Sequence, residues 1–284
     1  MLCQTLPVDS APAPIGISCQ TPGVTMDRLL SLAAGTILDV APHEASHVAA
    51  AAGWPAVGIW FDAATWTHKT SVSVSAALRD TGVVALDMEP VIFSPDGDPG
   101  EALIDAAADI GARHVLVASR LPVSPAVVER FGALCDRAAA AHITLVLEFL
   151  PIFAIRSLAE ALSVVNDAGR ANAGVLVDTL HLARSGGTPA DLAVIDPARL
   201  PYLQLADAPA VPPDATLRGL LYEAIDARLL PGDGELPLVD VLRMVPHVPV
   251  SVELRSAALR TTYVDPVERA RVVLAATNAV VDQS

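Results

Sequence analysis

Short apolar runs recur along the chain and alternate with alanine-rich stretches in which apolar residues have helical spacing. The runs are rich in Val, Leu and Ile, a composition typical of parallel strands that are buried on both faces. Eight of them predict strands at residues 15–19, 56–61, 83–88, 114–118, 143–148, 175–178, 202–205 and 248–254.

The stretches between these runs predict helices, several of which end at a glycine. The last predicted helix begins with Asp265 as its N-cap and Pro266 at its first position. The predicted helices cover residues 26–34, 43–53, 72–81, 102–110, 125–141, 157–168, 189–195, 238–244 and 265–281. Residues 1–13 are predicted to be a loose lead-in, residues 62–70 a loop, and the segment around Arg228 a long loop.

Eight strands that alternate with helices predict a single (β/α)₈ TIM barrel, an α/β fold, formed by one domain over residues 1–284. The alternative is an open, doubly wound sheet. It is less favoured because no glycine-rich phosphate-binding fingerprint follows the first predicted strand.

Four polar residues stand at or near the ends of the last four predicted strands: Glu148, Asp178, Gln204 and Glu253. They follow one another at intervals of 30, 26 and 49 residues, and one βαβ unit takes about 30 residues. We therefore expect them on consecutive strands, converging at the C-terminal mouth of the barrel. Taken alone, Asp178 is equally well interpreted as the N-cap of a following helix, but the recurrence of the pattern favours a shared site.

Three carboxylates and one amide oxygen form a hard oxygen ligand set. Such a set favours Mn²⁺ or Mg²⁺, with Co²⁺ and Zn²⁺ as alternatives. Without a cation, the carboxylates of Glu148, Asp178 and Glu253 would repel one another. The sequence therefore predicts one divalent metal ion as cofactor, bound by Glu148, Asp178, Gln204 and Glu253.

On these residues the chain resembles the xylose isomerase-like barrels, the sugar phosphate isomerase/epimerase superfamily, from about residue 15 to residue 281. Asp178-x-x-His181 and the RLLPGDG turn from Arg228 to Gly234 add to the resemblance. It implies one catalytic divalent metal and chemistry on polyols, ketoses or cyclic keto-acids. Many members have histidine as the third ligand, and Gln204 is more similar to the dehydratase branch, which includes 3-dehydroshikimate and inosose dehydratases.

The predicted site favours abstraction of an α-proton through an enediolate that a divalent ion stabilises. Glu148 and Glu253 are the candidate acid/base groups, and His181 is a third candidate that is equally well explained as a buried structural histidine. We predict a sugar isomerase or epimerase. A dehydratase of a cyclic keto-acid or inosose and a barrel that binds a small ligand without catalysis are the alternatives.

Five further residues are predicted to contact a small-molecule substrate. Arg255 follows Glu253 by two residues and so points the same way, and Arg228 lies in the long seventh loop. Together these arginines would bind an anionic group, although each is equally well explained as a surface ion pair. His68 and Lys69 would line the mouth from the second loop, and Trp60 would form the pocket wall.

Composition excludes several other functions. The net charge of −14, from 18 basic and 32 acidic residues, argues against nucleic acid as a partner. The three cysteines, Cys3, Cys19 and Cys135, suggest neither a disulfide framework nor a zinc ribbon. The N-terminus does not have the pattern of a signal peptide, and no apolar run reaches the length of a membrane span. We therefore expect a cytoplasmic protein that does not contact membranes; a homo-oligomer is compatible with these features.

Overall fold

The computed structural model describes residues 28–284 and contains a closed barrel of eight parallel strands. Each strand pairs with its neighbours in chain order, and the first strand pairs with the eighth. The predicted (β/α)₈ TIM barrel is thus confirmed. The strands are β1 (Leu30–Leu32), β2 (Ala56–Trp60), β3 (Val84–Phe93), β4 (His114–Ser119), β5 (Thr144–Glu148), β6 (Ala173–Asp178), β7 (Leu203–Leu205) and β8 (Val250–Val252).

The helices follow the strands and surround the barrel. They are α1 (Ala45–Ala52), α2 (His68–Thr81), α3 (Gly100–Ile110), α4 (Pro125–Ala139), α5 (Leu158–Ala168), α6 (Thr179–Arg184), α7 (Leu217–Asp226), α8 (Leu238–Met244), α9 (Ala257–Thr262) and α10 (Pro266–Val281). Short 3₁₀ helices cover Ala34–Ile37, Pro189–Val194 and Pro197–Arg199. None of the helices described is both long and apolar enough to cross a membrane.

Helix ends follow the predicted chemistry. Gly53, Gly82, Gly111 and Gly169 each end a helix in the left-handed conformation, which only glycine adopts readily. The Asp265 side chain accepts a hydrogen bond from the Val267 amide at the start of α10, as its predicted capping role requires.

The first strand was placed wrongly by the sequence pattern. Residues 30–32, inside the predicted helix 26–34, form β1, which pairs with β2 and β8. Three buried residues, Leu-Ser-Leu, are too short a run to distinguish a strand from a helix by periodicity. The predicted strand 15–19 and the predicted lead-in 1–13 lie outside the described residues.

Two predicted loops contain helical residues, and a further helix lies where no element was predicted. α2 begins at His68, within the predicted loop 62–70, because the Thr67 and Thr70 side chains form a capping box. α7 lies inside the segment that was predicted to be one long loop before Arg228, and α9 follows β8.

Two apolar clusters hold the structure together. The larger one fills the layer between the strands and the outer helices. The smaller one includes Val146 of β5 and Leu176 of β6. These two positions precede Glu148 and Asp178 by two residues and so face the same way as those carboxylates. The interior of the barrel is therefore closed by apolar side chains below a polar mouth.

Candidate active site

Buried acidic side chains meet at the C-terminal mouth of the barrel. Glu148 and Asp178 are the last residues of β5 and β6, and Glu253 directly follows β8. All three are less than a tenth exposed. Parallel strands bring their carboxyl ends to one edge of the barrel, which is why residues far apart in sequence share one site.

Glu148, Asp178 and His181 form the tightest group. One ligand atom of each lies within 4.8 Å of the others, close enough to share a metal ion. The nearest Glu148 and His181 atoms, Oε1 and Nε2, are 3.9 Å apart. His181 reaches the site because it lies in the first turn of α6, directly after the strand that ends at Asp178.

Asp178 has a different role for each of its two carboxylate oxygens. Its Oδ1 accepts hydrogen bonds from the amides of Leu180 and His181, at 2.7 and 3.1 Å, and so caps α6. Its Oδ2 lies 2.6 Å from Nη1 of Arg228. The two interpretations of Asp178, as a helix cap and as part of a polar site, therefore both hold.

Arg228 lies between two of the carboxylates. Its Nη1 is 2.6 Å from Asp178 Oδ2 and 3.0 Å from Glu253 Oε2, and the side chain is buried. Its Nε donates to the Ala224 carbonyl at 2.8 Å, which fixes the guanidinium from below. Burial alone would lower the pKa of Arg228, but Asp178 and Glu253 raise it, so this cation is permanent.

The pKa values of the three carboxylates show how far burial and neighbouring charges disfavour their ionised forms. Burial, together with Asp178 and Glu253, raises the pKa of Glu148 well above its usual value. Burial likewise raises the pKa of Glu253, although Arg228 opposes the effect. Burial acts in the same direction on Asp178, but Arg228 and His181 outweigh it and hold the pKa of Asp178 below its usual value.

His181 is a neutral imidazole at neutral pH. Burial lowers its pKa to about 4, because the charged form is poorly solvated at this depth. A neutral imidazole can accept a proton or coordinate a metal, which an imidazolium cannot do. Its Nε2 lies 3.5 Å from Nη2 of Arg228 and faces the same cluster.

Gln204 lies deeper in the barrel, on β7. Its Nε2 donates to Glu89 Oε2 at 3.4 Å, whereas its Oε1 is buried and has no partner among the residues that the structure describes. An unpaired buried amide oxygen is costly. Gln204 therefore offers one free acceptor next to the acidic cluster.

Glu89 and Asp87 of β3 were not predicted as site residues. Burial, with the charges of Asp87 and Glu253, raises the pKa of Glu89 well above its usual value. Burial and Glu253 raise the pKa of Asp87 to about 7. The strand run VVALDMEP has the same pattern as the strand ends at Glu148, Asp178 and Glu253, an apolar run that reaches a carboxylate, and this signal could have identified Glu89.

Gly35 makes room for Glu253. A Cβ at Gly35 would collide with the Glu253 carboxylate and with its Cγ, 2.7 Å away. The turn after β1 therefore needs glycine, so that the Glu253 side chain can lie across it.

A cavity of about 230 Å³ opens above this cluster. Glu148, His181, Arg228 and Glu253 form its floor, and the predicted contact residues Trp60 and Arg255 line it. Arg120, which the sequence analysis did not single out, lines it as well. The other two predicted contact residues lie elsewhere: His68, with its side chain 85% exposed, and Lys69 are on the outer surface at the start of α2.

Comparisons with known proteins identify relatives of this fold. The sequence model of the family described as "Xylose isomerase-like TIM barrel" matches residues 47–271. A search of curated proteins gives no match.

Among solved structures, a xylose isomerase-like TIM barrel/4-hydroxyphenylpyruvate dioxygenase fusion protein aligns with a TM-score of 0.75 and 20% identity over 88% of this chain. This chain spans 42% of the length of that fusion protein. The IOLI protein with a bound zinc atom has a TM-score of 0.75 and 16% identity, over 89% of this chain and 98% of that one. D-allulose 3-epimerase from Methylomonas sp., in complex with D-allulose, has a TM-score of 0.66 and 16% identity, over 89% and 97%.

Proposed function

The chain belongs to the xylose isomerase-like TIM-barrel family, and from this premise we propose that it is a divalent-metal-dependent isomerase or epimerase of a small hydroxylated carbonyl compound. One observation carries the proposal: the ligand atoms of Glu148, Asp178 and His181 lie within 4.8 Å of one another, and Glu148 and His181 line the cavity above them. The reaction we propose is abstraction of the proton next to the substrate carbonyl. The substrate class agrees with the D-allulose bound by the epimerase of similar fold.

The residues present fit a divalent cation. Among the described residues, the three buried carboxylates of Glu148, Asp178 and Glu253 have one arginine in direct contact, Arg228, which pairs with Asp178 and Glu253. Buried charges without a partner are costly, and a divalent ion would remove the imbalance. The unpaired Oε1 of Gln204 offers a neutral oxygen to the same ion. We propose Glu148, Asp178, Gln204 and Glu253 as its ligands, and His181 as a further donor.

Oxygen donors predominate in this set, which favours Mn²⁺ or Mg²⁺. The imidazole of His181 and the zinc bound by the IOLI protein keep Zn²⁺ as an alternative. When bound, such an ion supplies Lewis-acid stabilisation of negative charge on the substrate oxygens.

Glu148 is the first candidate for the base that removes the α-proton. It lines the cavity, and a carboxylate with a raised pKa accepts a proton more readily than an ordinary one. Glu253 also lines the cavity and is the second candidate, which would return a proton to the substrate. Arg228 holds Asp178 and Glu253 in place through its two short contacts.

A dehydratase is the second candidate, and one observation favours it. The neutral imidazole of His181 lines the cavity beside Glu148, where it could accept the α-proton from the substrate and then pass it to the departing β-hydroxyl. The chemistry before this step is the same, because both reactions begin with loss of an α-proton.

Proton exchange tests the proposal. The metal-loaded protein is incubated in D₂O with a panel of ketoses and hydroxylated keto-acids, and loss of the α-proton signal is followed by NMR. We expect exchange with at least one compound, and its loss in Glu148→Gln but not in the surface variant Glu129→Gln. An ultraviolet band from a conjugated product would identify the dehydratase. Absence of exchange across the panel, or full exchange in Glu148→Gln, would contradict the proposed mechanism.

A further inference from the structure

Two arginines at the cavity have no acidic partner. Eight of the 17 arginines that the structure describes are within 4.0 Å of a carboxylate, namely Arg130, Arg137, Arg170, Arg184, Arg228, Arg243, Arg260 and Arg269. Arg120 and Arg255 line the cavity and are in no ion pair within residues 28–284. Of the arginines without an ion pair in the described part of the chain, these two are the ones that line the cavity, so their charges are available to a bound anion.

The contacts of Arg120 leave the donors of its guanidinium unused. It follows β4, and its backbone amide donates to the Phe93 carbonyl at 2.9 Å. Its guanidinium lies over the Phe153 ring, 5.3 Å from the ring centre. Stacking on an aromatic face orients a guanidinium but leaves its N–H edge free. Arg120 is exposed at the mouth, and its guanidinium donors have no hydrogen-bond partner within residues 28–284, so they are available to a ligand in the cavity.

Arg255 approaches from β8. It is partly buried, and its Nε is buried without a hydrogen-bond partner among the described residues. Its charge also acts on the acidic floor, where it lowers the pKa of Glu89, Glu148 and Glu253, although burial is the larger effect on each. A buried donor without a partner is costly, so a ligand that accepts from it would be favoured.

The rest of the wall is apolar. Ile92, Leu150, Ile152, Leu221 and Ile225 line the cavity above the acidic floor. A fully hydroxylated sugar chain would place hydroxyl groups against these side chains and lose their hydrogen bonds to water. Such a wall suits a substrate whose polar groups are confined to its reacting end and to one anionic group.

We propose that the substrate of this site carries a carboxylate, which Arg120 and Arg255 bind while the other end of the molecule faces Glu148. The proposal rests on the proposed function, in that the cavity is taken to be the active site. It narrows the substrate class to small hydroxylated keto-acids and disfavours neutral ketoses. Planar, bidentate pairing with carboxylates is the geometry that a guanidinium matches best.

The size of the cavity agrees with this class. At about 230 Å³ it is smaller than the roughly 300–1,000 Å³ of pockets for drug-sized ligands. One ring or a short chain with a carboxylate would occupy it. A phosphate group is also an anion that arginines bind, so the experiment must distinguish a carboxylate from a phosphate.

Three probes that differ only in their charged group test the proposal: cyclohexanecarboxylate, cyclohexyl phosphate and cyclohexanol. Binding of each to the full-length protein is measured by calorimetry, for the wild type, Arg120→Gln, Arg255→Gln and the control Arg113→Gln. Arg113 is an exposed residue that precedes β4 and lies outside the cavity lining. We expect the carboxylate to bind most tightly and each cavity variant to weaken it about tenfold, as for loss of charge-assisted hydrogen bonds.

Other outcomes would overturn the proposal. Tighter binding of the phosphate would identify a phosphorylated substrate, and equal binding of cyclohexanol would show that charge is not recognised. Unchanged carboxylate affinity in both cavity variants, or no binding of any probe at millimolar concentration, would exclude the two arginines as the anion site. Metal content is measured on the same samples. It depends on the acidic residues and not on Arg120 or Arg255, so we expect it to be equal in all four proteins. A failure of anion binding with normal metal content would therefore contradict the carboxylate proposal and leave the proposed function standing.

Discussion

At the scale of single residues, the site is a balance between buried carboxylates and one cation. Arg228 contacts Asp178 and Glu253, and all three side chains are buried. If Arg228 were removed, water could not reach the two carboxylates to replace its charge. Loss of one partner of a buried ion pair is much more costly than loss of a surface pair, because the remaining charge has no water to solvate it.

Arg228→Met is therefore expected to lower the free energy of unfolding of the metal-free protein by about 3–5 kcal/mol. Denaturant unfolding in the presence of a chelator measures it. The matched control is Arg137→Met, which removes an exposed pair with Asp105 and is expected to change the free energy of unfolding much less, because water solvates both charges. Equal stability of the two variants would refute the compensating role of Arg228.

His114 provides a second prediction, because it is mostly buried and stacks on Tyr202 with 5.1 Å between ring centres. Burial, assisted by Arg113, lowers its pKa to about 4 from an ordinary 6.5. The unfolded chain then binds the proton first, so this contribution to stability is present above pH 6.5 and is lost as the pH falls towards 4. His114→Gln should reduce the loss of stability between pH 6.5 and pH 4.5 by about 2 kcal/mol. An identical pH profile for wild type and variant, measured by denaturant unfolding, would contradict the assignment.

At the scale of elements, one buried acid organises the segment that follows Arg228. The Asp207 carboxylate, two residues after the end of β7, accepts hydrogen bonds from the amides of Gly232, Gly234 and Leu236 at 2.9–3.1 Å. A side chain at Gly234 would collide with the same carboxylate. These hydrogen bonds to Asp207 hold the backbone of residues 229–236 in place. They thereby also restrict the position of Arg228, which directly precedes this segment.

Asp207→Asn should loosen this loop, because an amide supplies only one oxygen to these donors. We expect about 1–3 kcal/mol of lost stability and faster hydrogen exchange at residues 232–236. The exposed control is Asp105→Asn, which should leave exchange in the loop unchanged. Unaltered exchange in Asp207→Asn would mean that the turn holds itself without the carboxylate.

The same elements explain what the sequence could predict. Strands β5 and β6, each a continuous apolar run with a carboxylate at its end, were located together with Glu148 and Asp178. Strand β1 was missed because three residues have no measurable period, and its strand character comes from pairing with β2 and β8. Arg120 had no local signal, since only the fold brings it next to Phe153 and above Glu148.

At the scale of the whole molecule, closure of the barrel brings acidic side chains from different strands together in one buried site. Burial is the leading cause of the raised pKa values of Asp87, Glu89, Glu148 and Glu253. Groups with a raised pKa bind protons more tightly in the folded state. Their contribution to stability is therefore lost as the pH rises through the folded values.

The chelated protein should accordingly lose stability between pH 6.5 and pH 8, as Asp87, with a pKa of about 7, loses its proton; over this range the contribution of the buried histidines does not change with pH. Saturating Mn²⁺ should abolish most of this slope and raise the free energy of unfolding, by about 2.7 kcal/mol at a hundredfold excess over Kd. Thermal and denaturant unfolding with and without Mn²⁺ give both quantities. A chelated protein whose stability increases over this range would show that the acidic cluster is not under electrostatic strain.

The most direct test of the central claim, that the acidic mouth of the barrel holds one divalent ion, is a calorimetric Mn²⁺ titration of the chelator-treated protein. The wild type and the surface variant Asp136→Asn should each bind one ion per chain. Glu148→Gln and Asp178→Asn should bind it at least tenfold more weakly, because each loses a charged ligand. Absence of binding to the wild type, or equal affinity and stoichiometry in all four proteins, would contradict the account.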